Sequence, residues 1–230
     1  MISFGAPAID DVRPAGKWPT RSMLTGQLGC ALGWRREQAA ELLALQRRIS
    51  YAVRCDRQPI RGVDFQTANV STGDMAEASI TPHGWLNARG SQWIGSNKNP
   101  VNRYCEYLAD GHFIIAVALQ DPSKYPALED VKHALDYPKA PLFLGRHAYP
   151  PTTRIAIGLV DAANLLGALS TVTCKGPKGQ AEAWGLWPET EGHGLKGRAI
   201  QVVEDRDWVN DNHTGRRRMI EGKLPLRATL

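Results

Sequence analysis

The chain lacks any apolar run able to cross a membrane. Its longest, Phe113 to Leu119, is far short of the roughly 20 residues a helix needs to span a bilayer. No charged-then-apolar leader opens it, so a soluble, cytoplasmic protein with no membrane partner is expected. Cysteine is scarce: Cys30, Cys55, Cys105 and Cys174 lie far apart, with no C-x-x-C pair and no Cys/His cluster at zinc spacing. A disulfide scaffold and a structural zinc site are thereby disfavoured, and neither a metal nor a cofactor is expected. G-x-S-x-G, H-E-x-x-H, the P-loop and paired carboxylates at helical spacing are absent, which removes support for hydrolase and NTPase chemistry. The aromatic RNP pattern by which many split βαβ sheets stack RNA bases is missing as well.

What is present is a 230-residue chain that is 43% hydrophobic, enough to bury a sizeable core, with 22 glycines and 15 prolines that favour turns and short strands over a helical bundle. A net charge of +5 permits a polyanionic partner without demanding one. Thr20 can cap a helix running to about Leu32, with Gly33 at its C′ position; Gly26 and Gly29 inside it call for the close approach of a neighbour. A second amphipathic stretch, Arg36 to Arg47, passes into alternating strand character, and Tyr51 to Gln66 reads as a β-hairpin turning at Asp56–Pro59. Phe113 to Leu119 reads as a buried strand, Pro126 to Leu135 as a packing helix and Pro141 to Leu144 as a short strand. Beyond Pro151 a short helix near Asp161 to Leu169 and strands near Ala183 to Trp187 and Ala199 to Val203 suggest a second, β-rich region, while Arg216-Arg217-Arg218 reads as a solvated loop. The order fits an α+β sandwich with helices on one face of an antiparallel sheet.

Ala68 to Asn102 is a polar insertion too long for an ordinary loop. With Trp85 and Trp93 it is either an excursion folding back on the domain or an arm reaching a partner. Basic side chains occupy loops and helix ends: Arg13, Lys17 and Arg21 with Ser22 near a helix N-terminus, and Arg54, Arg57 and Arg146-His147 on other connections. Singly each is a solvated charge; jointly, with free N–H groups at a helix start, they suit phosphate.

These residues carry a resemblance. Ser3-Phe4-Gly5, the run Pro19-Thr20-Arg21-Ser22 through Gly29, Ala52 to Arg57, Asp64 to Thr67, Tyr107 to Asp110 and Pro141-Leu142-Phe143-Leu144-Gly145-Arg146 together resemble the CasD family, CRISPR-associated RAMP proteins of type I-E systems. The resemblance implies a ferredoxin-like (RRM-like) RAMP domain over 1–150, a long thumb hairpin at about 68–102 and a smaller β-rich C-terminal region over 151–230. It implies a non-catalytic subunit that holds the crRNA 5′ handle in Cascade, beside the backbone subunits and the large subunit, meeting target DNA only through the guide. Arg13, Lys17, Arg21, Ser22, Arg54, Arg57, Arg146 and His147 are then the RNA-binding candidates; Trp85, Trp93 and Arg103 are the thumb and partner contacts. Family members usually place an apolar strand ahead of the Ser-Phe-Gly segment, so dependence on partner subunits for stability is expected. The alternative is a metal-independent endoribonuclease like type I-C relatives, with His147 or His112 and Tyr51 or Lys17 activating a ribose 2′-OH.

Overall fold

The computed structural model describes residues 1–6, 12–69, 79–81, 84–86 and 100–226. In chain order the elements are β1 (Phe4–Gly5), β2 (Val12–Arg13), β3 (Ala15–Gly16), α1 (Arg21–Leu32), α2 (Ala39–Arg48), β4 (Ile49–Arg57), β5 (Ile60–Asn69), β6 (Ser79–Thr81), β7 (Gly84–Leu86), β8 (Pro100–Ala109), β9 (His112–Leu119), α3 (Leu128–Asp136), α4 (Leu165–Thr171), β10 (Glu182–Pro188), β11 (Gly197–Asp207) and β12 (Asn212–Pro225). The chain divides into two units, one of Met1–Ala6, Ala15–Gly62 and Tyr107–Leu230, the other of Pro7–Pro14 and Val63–Glu106.

The first unit is a mixed α+β structure on a five-stranded sheet of order β11-β12-β10-β4-β9. β4, flanked by β10 and β9, feeds both faces by its alternation. Ile49, Tyr51 and Val53 pack with Leu24 and Leu28 of α1, Leu45 of α2 and Val131 of α3, while Ala52 joins Ile114, Trp187 and Leu224 beneath Leu165 and Leu169 of α4. Helix α1 starts as its sequence dictates. Thr20 Oγ1 accepts the Met23 N–H, and Gly33, at φ 84°, returns its own N–H to the carbonyls of Gly29 and Cys30. The two glycines inside α1 are explained by side chains, not by a second backbone: a Cβ on Gly29 would meet Leu42 Cδ2 at 2.5 Å, and one on Gly26 would meet the Trp208 ring at 3.3 Å.

Four expectations change. Tyr51 to Gln66 is not a hairpin: β4 pairs with β9 and β10, and β5 leaves for a three-stranded sheet of order β2-β8-β5. Pro59, which has no N–H to donate, separates the two strands, and the ladder is already irregular between Cys55 and Arg57. The residues beyond 150 do not build a sheet of their own. β10 pairs with β4 through Val53↔Leu186 and Cys55↔Trp184, so β10, β11 and β12 complete the sheet that β4 and β9 begin. Arg216–Arg218 lies on β12 rather than on a loop; three consecutive arginines hide the strand's alternation, which survives only in their alternating exposure. Pro141 to Leu144 is not a strand but is tied at Leu144, whose carbonyl accepts the Ser3 N–H at 2.9 Å.

In the second unit, β2 runs parallel to β8 through Val12↔Tyr104, and the Phe65 and Tyr104 rings meet at 5.2 Å. Within the inserted segment β6 and β7 pair antiparallel, placing Trp85 of β7 opposite Ile80. Trp93 lies outside the described residues.

Gly145 is one glycine the fold demands. Its φ is +95°, and a Cβ there would stand 1.9 Å from the Ser3 carbonyl oxygen. Gly145→Ala is expected to lose about 1–3 kcal/mol from the strained φ alone, with the backbone clash in addition. An urea midpoint equal to that of the unaltered protein overturns the assignment.

Candidate nucleic-acid interface

Strand register sets side chains from distant parts of the chain in rows on the face that carries α1. One row is Phe113, Cys55, Trp184 and Lys223, on β9, β4, β10 and β12; the next is Ile115, Val53, Leu186, Glu221 and Arg198. The segment between β3 and α1 lies over this end and adds Lys17 and Trp18. Glu221, only 3% exposed, accepts from Lys17 Nζ at 2.6 Å, Trp18 Nε1 at 2.8 Å and Arg198 Nε at 2.8 Å. One buried carboxylate thus gathers two cations, and the Lys17 and Lys223 ammoniums lie 4.7 and 4.8 Å from the Trp184 ring centroid.

Burial pushes the Glu221 pKa up, but the hydrogen bonds from Lys17, Trp18 and Arg198 outweigh it and hold the carboxyl below its ordinary value. Its stabilising contribution is therefore complete above the unfolded glutamate pKa of about 4.3 and is lost as pH falls through the lower folded value. The gap in urea midpoint between the unaltered protein and Glu221→Gln should narrow as pH is lowered from about 6 to about 3; a constant gap contradicts this.

The structure brings some expected site residues together and separates others. The β1–β3 pairing ties the Lys17 segment to Phe4–Gly5, whose neighbour Ser3 bonds Leu144 beside Arg146. Arg61 Nη1 donates to the Ala15 carbonyl at 2.9 Å on the same ribbon. The Arg146 guanidinium lies 5.8 Å from the Tyr149 ring centroid, and Tyr149 packs on Tyr107. His147, exposed, stacks on Phe143 at 4.7 Å, and half-exposed Arg57 pairs with Asp110 at 3.0 Å. Lys17, Arg61 of β5 and Arg146 are therefore each tied to the β1–β3 ribbon, Lys17 by sequence, Arg61 through the Ala15 carbonyl and Arg146 through the Ser3–Leu144 bond.

Arg54 does not join them. It faces α4, is 4% exposed, donates Nε to Asp56 at 2.6 Å and reaches the carbonyls of Leu169 and Val172 at 2.6 and 2.9 Å. Its even position on β4 puts it on the face opposite Lys17. Asp56, wholly buried, also accepts the Lys175 N–H and lies 3.5 Å from His112 Nδ1. Arg21 at the start of α1 gives Nε and Nη2 to Asp205 of β11 at 2.8 and 2.5 Å. Ser22 is buried, its hydroxyl 3.1 Å from that of Thr20, where it serves the helix start. Arg13 on β2 and Arg103 on β8 belong to the second unit. Tyr51 is fully buried and its hydroxyl donates to Pro19, which removes it from reach of a ribose.

Sequence reading missed Trp184, Arg198, Lys223 and Glu221 as site residues. No local signal marks them, because they meet Lys17 only through pairing between remote strands. Among the described residues no cluster of His, Cys, Asp and Glu is arranged to hold a metal ion.

Comparison with known proteins follows the same direction. The family model described as CRISPR-associated protein (Cas_Cas5) matches residues 1–224. The chain is 30% identical over 169 residues to the CRISPR system Cascade subunit CasD of Escherichia coli (strain K12), covering 74% of this chain and 71% of that protein. It superposes on a chain of a CRISPR RNA-guided surveillance complex with a TM-score of 0.66 at 21% identity, over 100% of this chain and 88% of the other. A second solved structure, described as a crystal structure of Cas protein, gives a TM-score of 0.56 at 21% identity, over 98% and 89%.

Proposed function

The chain belongs to the CRISPR-associated protein (Cas_Cas5) family, and on that premise we propose that it is a non-catalytic Cascade subunit of type I-E that holds the 5′ handle of the crRNA. The observation that carries this reading is the run of cations along the β1–β3 ribbon: Lys17 next to β3, Arg61 of β5 bonded to the Ala15 carbonyl, and Arg146 two residues after Leu144, which Ser3 holds by a backbone bond. Such preset cations suit a phosphodiester chain, and a net +5 adds favourable long-range attraction.

In this reading the first unit supplies a ferredoxin-like RAMP core, and the segment from β5 to β8 is the thumb, meeting the backbone subunits through Trp85, Trp93 and Arg103. The large subunit and the guide complete the assembly in the cytoplasm, and target DNA is read by base pairing. Co-expression with the remaining Cascade subunits tests it: the complex should carry RNA whose 5′ end is repeat-derived. Recovery of the complete complex without RNA overturns the reading, as does cleavage of repeat RNA by the isolated protein without metal that His147→Ala abolishes.

A further inference from the structure

Beside the Lys17–Trp184 contact, at the same end of the sheet, is a cleft of about 210 Å³ lying wholly within the first unit. Trp18, Leu108 and Phe113 give it apolar walls, Gln58 stands at its mouth, and Lys17 and Arg61 form its rim. The walls are fixed before any ligand arrives: Phe113 meets Trp18 at 6.3 Å and Phe4 at 5.1 Å, both edge-on, so the rings brace one another. Cys55 on the floor contributes a neutral thiol, since burial first and the neighbouring Asp56 second push its pKa up to about 11, against a lowering by Lys17.

The volume is smaller than the roughly 300 Å³ at which pockets for drug-sized ligands begin, and it suits a single planar ring. Its walls are apolar, its mouth offers an amide with both a donor and an acceptor, and its rim is positive. Among the described residues nothing hydrogen-bonds the exposed Gln58 amide. Lys223 and Arg198 continue the positive rim past Trp184. Splayed single-stranded RNA presents this combination of stackable base, base edge and flanking phosphates.

We propose that the cleft is a nucleotide pocket: it takes the base of one unpaired ribonucleotide of the bound RNA, with Gln58 on the base edge and Lys17 and Arg61 on the adjoining phosphates. The inference rests on the RNA-holding reading and adds to it a residue that discriminates among bases.

The test is a complex reconstituted from the Cascade subunits and synthetic guide RNAs, each with one abasic site in the unpaired 5′ portion, with guide dissociation followed by competition. One position should release about tenfold faster than the intact guide, a loss on the scale of one base stack. In Gln58→Trp, whose indole closes the mouth, that position should no longer stand out. In Gln58→Ala the preference among bases at that position should flatten, with other positions unchanged. A flat abasic scan in a complex that retains its guide overturns the pocket and leaves the RNA-holding role intact, as does an unaltered scan in Gln58→Trp. A complete complex that retains no guide overturns both.

Discussion

Neutralising Lys17 and Arg146 together, as Lys17→Met with Arg146→Gln, is expected to lower guide retention by a hundredfold or more. Charge-assisted hydrogen bonds contribute about 1.5–3 kcal/mol each, so two lost phosphate contacts correspond to roughly 10²–10⁴ in affinity. Neutral replacements avoid setting a new acid against Glu221, which Lys17 already contacts at 2.6 Å. The salt dependence gives an independent reading. For single-stranded RNA the slope of log affinity against log salt is about −0.7 per phosphate neutralised, so the double variant should show a slope shallower by about 1.4. Arg36→Gln serves as the comparison, since Arg36 is a largely solvated cation on a short 3₁₀ turn with only a loose Asp211 contact at 3.6 Å. It changes the net charge and should leave retention almost unaltered. Equal retention and equal slope in the double variant would remove Lys17 and Arg146 from the interface.

The second large effect concerns Asp56. This carboxylate is fully buried and balances Arg54, which is 4% exposed. Asp56→Ala leaves a guanidinium in the interior without its counter-charge, and breaking a buried pair in this way costs about 3–5 kcal/mol. That is a large part of the 5–15 kcal/mol by which whole domains are stable. Urea denaturation of the purified chain should show the loss. Removing both charges, as Arg54→Met with Asp56→Leu, should recover at least half of it, because burying two charges carries its own desolvation penalty. Full recovery is not expected, since the Leu169 and Val172 carbonyls and the Lys175 N–H lose partners. A double variant as unstable as Asp56→Ala would show that these backbone contacts, not the ion pair, dominate.

The Arg54–Asp56 pair also shows how sequence reading and structure part company. In sequence, Arg54 and Arg57 look like two cations of one turn. In the fold, strand alternation sends Arg54 into the interior to fasten the C-terminal end of α4, while Arg57 stays half-exposed against Asp110. Charge type told nothing about the side on which it would fall. Similarly, Gln58-Pro59 has the composition of a hairpin turn, yet the chain passes on to a different sheet because β4 finds both its neighbours, β9 and β10, elsewhere.

The amino-acid sequence alone determined the elements whose causes are local: the Thr20 cap and Gly33 stop of α1, the apolar β9, the acidic first turn of α3, and family membership through short motifs. Tertiary structure alone decided which side chains share a surface. Phe113, Cys55, Trp184 and Lys223 become neighbours only when four strands settle in register, and Glu221 can then draw Lys17 and Arg198 together. Periodicity and capping are written within one turn or one strand, whereas pairing between residues 55 and 184 depends on the packing of the whole sheet between its helices.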